Sequence, residues 1–174
     1  MPTAAEIDRQ IGALPHSYIF WTRKEIRALP DILEHDEPIK ALTSGFMNNA
    51  TWLAVCTDRR IIFLNRAMFF GERQLTIPLE RVQAIDHEST IFFGSITVWD
   101  GASAFMMNMV LKSSIPPFVK ATQEQMQIVR KQAKSATHPI ATDIASQLAK
   151  LAELKEKGHL TEEEFQAQKK KLLG

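Results

Sequence analysis

Cysteine is almost absent. Cys56 stands alone among 174 residues, which excludes an internal disulfide framework and suits a reducing compartment. Net charge is nearly absent as well. Lysine and arginine number 21 against 20 aspartates and glutamates, a balance of +1 that gives no long-range attraction to nucleic acid or an anionic membrane. No apolar run approaches the roughly eighteen residues that mark a transmembrane helix. The opening residues, MPTAAEIDRQIG, lack the basic start and apolar core of a signal peptide, so the expected location is cytoplasmic. Glycine is scarce, with seven residues mostly at turns, and no phosphate-cradling glycine loop is present. His16, His35, His87, His138 and His159 show no metal-ligand spacing, and one cysteine does not supply it. No nucleophile-elbow motif brings Ser and His together. The expectation is therefore no catalytic residue, no metal and no other cofactor.

What is present is the material of a soluble globular protein, 45% hydrophobic and 24% charged. Three regions differ in period. Residues 1–37 read as helical: Thr3 with Glu6 forms a capping-box pattern, and Ile7, Ile11 and Leu14 follow at i, i+4, i+7. Pro15 is expected to end that helix. Thr22 with Glu25 repeats the capping pattern, with Trp21 and Ile26 as its staple, and Pro30 is expected to interrupt the second helix. The apolar stretch YIFW, 18–21, reads as a buried connector.

Residues 38–112 change to the period of strands. IKALTSGFM, TWLAVCT, RIIFLN, QLTIP, VQAIDHE, SITVW and AFMMNMVLK are short, rich in β-branched and aromatic residues, and separated by NN, TDR, FGER, LER, FFG and DGA. Seven strands so connected predict an antiparallel meander closed into a sandwich or barrel. Trp52, Ala54 and Cys56 fall on one face of their strand and Leu53 and Val55 on the other, so this strand is expected to be covered on both sides. Trp52, Phe63, Ile77, Ile85, Val98 and Met107 are assigned to one interior. A helix from Ile115 to about residue 134, opened by Pro116 and Pro117, is expected to close it with Phe118 and Val129. In FMMNMVLK the alternation places Phe105, Met107, Met109 and Leu111 inward. Met106 and Val110 are then free for a second interface, with the N-terminal helices or another subunit.

Strands followed by a single helix are the order that a pleckstrin-homology (PH) fold requires. AVCTDRRIIFLN, 54–65, and TIPLERVQAID, 76–86, resemble the strand–turn–strand and Ile-Pro-Leu elements of bacterial PH-like domains, in their YokE-like branch. The tail, DIASQLAKLAELKEKGHLTEEEFQAQKKKLLG, resembles the short C-terminal domain called SHOCT in its Leu-x-x-Leu spacing, Lys-x-Gly, Leu-Thr, Glu-Glu-Phe and terminal Lys-x-Leu-Leu. These resemblances imply an α+β protein of bacterial or phage origin: N-terminal helical segment 1–37, PH-like barrel or sandwich with its capping helix 38–133, linker 134–142 and a two-helix hairpin 143–174. Asp143 is the expected N-cap of the hairpin's first helix, Gly158 its closing residue, and Thr161 with Glu164 the capping box of the second.

The resemblance to PH domains does not carry phosphoinositide binding with it. Eukaryotic PH domains that bind these lipids grip the phosphates with basic side chains around the first inter-strand loop. Here that loop is GFMNNAT, 45–51, without lysine or arginine. Arg59, Arg60, Arg66, Arg73 and Arg81 are read as solvated turn and edge residues, EHDE at 34–37 as an exposed helix end, and Cys56 as inert core. A hairpin of some thirty residues is too small to hold itself together, yet it carries Ile144, Leu148, Leu151, Leu154, Leu160, Phe165, Leu172 and Leu173. These are the expected interaction residues, joining copies of the chain or a protein partner; docking on the parent domain is the alternative. SHOCT-bearing proteins are thought to assemble through this tail, which agrees. The function expected is non-enzymatic assembly on a PH-like scaffold, with nucleic acid disfavoured. The runners-up are a peripheral membrane module and a regulator of another machine.

Overall fold

The computed structural model describes residues 1–14, 22–66, 71–137, 139–157 and 160–173, with the backbone alone for 72, 136, 137, 139–146, 172 and 173. They form two compact units, Met1–Val129 and Arg130–Gly174. The first helix, α1 (Ala4–Ala13), begins with the expected capping box: Glu6 N–H donates to Thr3 Oγ1 at 3.3 Å, and Thr3 N–H to the Glu6 carboxylate at 2.7 Å. Ile7 and Ile11 are its buried residues. Pro15, and the connector with Trp21, lie outside the described residues.

The second helix, α2 (Arg23–Ile32), departs from expectation at both ends. Thr22 makes no side-chain cap, and its buried hydroxyl has no partner among the described residues. Glu25 does not reach back to it; its carboxylate accepts Arg66 N–H at 2.9 Å, so a tertiary contact replaces the local box. Nor does Pro30 end the helix. It sits within the last turn, where its missing N–H costs one ladder bond, and Leu33 N–H still closes the end on the Leu29 carbonyl at 2.9 Å. Leu29 and Leu33 are both fully buried, which holds that turn in place.

Seven strands follow: β1 (Ile39–Met47), β2 (Ala50–Thr57), β3 (Arg60–Arg66), β4 (Glu72–Pro78), β5 (Ala84–Ser89), β6 (Phe93–Trp99) and β7 (Ala104–Leu111). Every pairing is antiparallel, in the order β4-β3-β2-β1-β7-β6-β5, and the two halves join where Phe46 faces Asn108. Asn48 and Asn49 turn β1 into β2 with φ of 51° and 62°, the left-handed pair that matches strand twist. With α3 (Ile115–Thr137) after the last strand, this is a PH-like α+β fold.

The interior contains Trp52, Phe63, Ile77, Ile85, Val98, Met107 and Phe118, with Val129 half-buried against it, as expected. A second cluster lies on the opposite face of the β1–β3 sheet: Ile7, Ile11, Ile26, Leu29 and Leu33 pack with Leu42, Leu53, Val55, Ile62 and Leu64. β2 is thus buried on both faces, Ala54 and Cys56 in one core and Leu53 and Val55 in the other.

β7 corrects the alternation read from its sequence. Met109 has φ of 53°, and the β6–β7 register shifts between Gly94 and Ile96. One residue is spent on the bulge, so Val110 turns back into the barrel core beside Met107 and is fully buried. Val110 is therefore unavailable to a second interface, while Met109, expected inside, is exposed and Met106 remains outside.

Gly94 marks a close approach. A Cβ there would overlap the Glu88 carbonyl oxygen and stand 2.6 Å from Ile115 Cδ1. Gly94→Ala should therefore cost about 1–3 kcal/mol, the range for overpacking. Gly12→Ala, on α1 with nothing within 4 Å of the new methyl, should stabilise by up to about 1 kcal/mol. Urea midpoints read both; equal effects would contradict the packing described.

In the second unit, α3 extends to Thr137 and α4 spans Pro139–Glu156. The segment 134–142, expected as a linker, is helical on both sides of residue 138. Asp143 lies inside α4 rather than at its N-cap. The sequence KQAKSAT consists largely of strong helix formers, and Pro139 suits a first helical position. Gly158 lies outside the described residues. Helix α5 (Glu162–Leu173) opens with the expected capping box: Glu164 N–H donates to Thr161 Oγ1 at 3.3 Å, and Thr161 N–H to the Glu164 carboxylate at 3.0 Å.

Candidate functional site

The hairpin α4–α5 has its own internal closure. Lys155 pairs with Glu162 across the turn, and its ammonium lies 5.1 Å from the centre of the Phe165 ring. Thr161 donates to the Glu164 carboxylate from its backbone N–H and its hydroxyl, which holds that carboxyl below its ordinary value. Lys155 gave no signal in the sequence, because its partners lie beyond the turn. Of the expected interaction residues, Leu148, Leu151, Leu160 and Phe165 are half-buried, and Leu154 is 41% exposed. The side chains of Ile144, Leu172 and Leu173 lie outside the described residues. Among the residues of this unit whose side chains are described, none is buried. The hairpin is shaped by capping, a cross-turn ion pair and an aromatic–ammonium contact, and its described apolar side chains form no buried core.

In the first unit Arg59 and Arg60 are not idle surface charges. Arg60 donates from Nε at 2.7 Å and from its terminal nitrogen at 2.6 Å to the carboxylate of Glu37, which is 2% exposed. The same guanidinium reaches the Ile32 carbonyl at 3.1 Å, satisfying the C-terminal end of α2. Thr57 Oγ1 donates to Glu37 at 2.9 Å, and Glu34 N–H donates to it at 3.0 Å. Burial pushes the Glu37 carboxyl up, but Arg60, the Glu34 amide and the Thr57 hydroxyl outweigh it and hold the group below its ordinary value. Arg59 pairs at the surface with Glu34 and with Asp36, the latter at 2.7 Å. Arg60 and Glu37, expected as a solvated turn residue and part of an exposed acidic run, instead tie α2 to the β2–β3 turn. No local pattern signals this, since the partners are 23 positions apart.

Cys56 is buried, and burial pushes its thiol up to about 11, so it stays protonated at neutral pH. Among the described residues, no three His, Cys, Asp or Glu side chains gather as a metal site, and no helix is long and apolar enough to cross a membrane. The apolar side chains left outside are concentrated on β1, β6, β7 and the β5–β6 turn: Phe46, Trp99, Met106, Met109, Ile91, Phe92 and Phe93. Trp99 has a polar tether, its indole N–H donating to Asp86 at 2.8 Å. The exposed triplet at 91–93 passed as an ordinary turn in the sequence; three consecutive large apolar residues at a turn were the signal.

Comparison with known proteins adds the following. The family model described as Bacterial PH domain matches residues 33–124, and that described as Short C-terminal domain matches 146–173. No curated protein matches the chain. Among solved structures, a pleckstrin homology domain from Shewanella amazonensis is similar at 15% identity, covering 60% of this chain and 97% of its own, with a TM-score of 0.46. A pleckstrin-homology protein from Shewanella loihica is similar at 14% identity over 59% of this chain and 94% of its own, with a TM-score of 0.42. The first family match takes in all seven strands, both halves of the barrel and the start of its closing helix, more than half of the sequence, and so the chain belongs to the bacterial PH domain family and carries a SHOCT domain at its C-terminal end.

Proposed function

We propose that this is a non-enzymatic assembly protein, in which the PH-like barrel is the scaffold and the C-terminal hairpin joins copies of the chain. The observation that supports this reading is the absence of any buried residue among the described side chains of a hairpin that exposes or half-exposes Leu148, Leu151, Leu154, Leu160 and Phe165. Each such side chain contributes roughly 1.5–3 kcal/mol when fully buried, and among the described residues of the hairpin none reaches full burial. A turn specified in advance by Thr161, Glu164 and Lys155 reduces the ordering entropy lost when a partner arrives. Coiled apolar faces of two such hairpins complete each other's cores.

Deleting 139–174 should reduce the oligomeric mass in light scattering after size exclusion, with the strand signal in circular dichroism retained. Leu151→Asp combined with Phe165→Asp should do the same, because a charge at a desolvated contact has no partner. Thr161→Ala should act more weakly, removing a cap worth about 1 kcal/mol. Unchanged mass across the series removes self-assembly through the hairpin. Unchanged mass with a lowered melting temperature assigns the hairpin to its own barrel instead.

A further inference from the structure

We infer that the β5–β6 tip, Ile91–Phe92–Phe93 with Lys112 at its base, seats the barrel on the surface of a lipid bilayer. The tip is the most exposed concentration of large apolar side chains in the first unit, with Ile91 78%, Phe92 70% and Phe93 40% exposed. Its backbone is held by hydrogen bonds within the protein. Thr90 N–H and Thr90 Oγ1 both donate to the Phe93 carbonyl, at 2.7 and 2.9 Å, and Lys112 N–H donates to the Phe92 carbonyl at 3.0 Å. Gly94, packed against the Glu88 carbonyl and Ile115, fixes the base.

Those hydrogen bonds bear on the choice of partner. A segment entering hydrocarbon must leave its backbone polar groups satisfied, since each bare one is costly there. The carbonyls of Phe92 and Phe93 are already satisfied within the protein, so the side chains can leave water without stranding them. Charge points the same way. Residues 89–95 carry no charged side chain, and between 101 and 119 the single charged residue is Lys112, which is exposed. Glu88, further down the hairpin opposite Ser95, is the acid closest in sequence to the tip. An apolar point with a cation at its base complements a bilayer: side chains enter the interface while the ammonium meets lipid phosphates at headgroup level. The β1–β2 turn, without a cation, takes no part. A peripheral attachment of this kind needs no membrane-spanning helix.

Flotation of the full chain with phosphatidylcholine vesicles, with and without phosphatidylglycerol, tests this. The chain should float with both and more with the anionic ones. Ile91→Ser with Phe92→Ser should lower the partition coefficient by about tenfold or more, as expected for exposing two large apolar groups. Lys112→Ala should remove the excess on anionic vesicles and leave the neutral ones unchanged. Phosphorylated inositol lipids should add nothing beyond their charge. Circular dichroism and light scattering of the double variant should match the parent. A parent chain that stays with the pellet overturns the inference, as does a double variant that floats equally well. A double variant whose mass falls also overturns it, because the tip is then a protein contact.

Discussion

A chain begun at residue 33 should be poorly soluble and fail to give a monodisperse folded species, although it retains all the strands. The family match begins at Leu33, and the whole of α1 and α2 lies before it. Yet Ile7, Ile11, Ile26 and Leu29 supply the cover for Leu42, Leu53, Val55, Ile62 and Leu64, each of which is 3% exposed or less. Uncovering one such side chain costs roughly 1.5–3 kcal/mol, and a whole domain is stable by only about 5–15 kcal/mol. Five uncovered together cost an amount comparable to that whole margin, and the exposed β-sheet face they form is prone to aggregation. Leu29→Asp is the single-residue version: a charge at a position with no exposure should cost more than about 4 kcal/mol. Soluble expression, size exclusion and urea midpoints measure both. A well-behaved truncated chain with an unaltered midpoint would show that the two helices are an appendage.

Glu37→Ala should be nearly as damaging. It removes the carboxylate that accepts from the partly buried Arg60 guanidinium, the Thr57 hydroxyl and the Glu34 amide, leaving Arg60 only the Ile32 carbonyl. Breaking a buried pair from one side costs about 3–5 kcal/mol. Glu37→Gln keeps the shape and one acceptor oxygen and should cost less. The pH dependence has a defined sign. The folded carboxyl is held below its unfolded value, so its contribution is fully present above the unfolded value of about 4.3. That contribution is lost as pH falls through the lower folded value. Urea midpoints from neutral pH down through the carboxylate range should fall for the parent chain and fall less steeply for Glu37→Gln. Parallel curves for the two proteins would remove Glu37 from the acid-sensitive groups.

The features legible in the sequence were those that the chain decides locally. The two apolar faces of β2 predicted its double burial. Thr3 with Glu6 and Thr161 with Glu164 formed the capping boxes that their spacing encodes, because both partners sit on the same turn. Thr22 with Glu25 has the same spacing and formed none, since Arg66 N–H, 41 positions away, offered Glu25 a better bond. The β7 alternation failed for another reason: period-two reasoning assumes that every residue advances the strand, and Met109 does not. Of the candidate interaction surfaces, the hairpin was readable from its apolar spacing. The tip at Ile91–Phe93 showed only as three large apolar residues in a row at a turn; that they stay exposed depends on what fails to pack nearby, which only the folded chain shows.

The double burial of β2 also bears on how the first unit comes apart. Strands that serve one core allow that core to open as a separate unit, whereas a strand shared by two transmits the loss of either to the other. Ala54 and Cys56 cannot leave the barrel interior without carrying Leu53 and Val55 out from beneath the N-terminal helices, since they alternate along one backbone. Helix cover and barrel therefore open together, in a single cooperative event, and the first unit behaves in unfolding as one body despite its two cores.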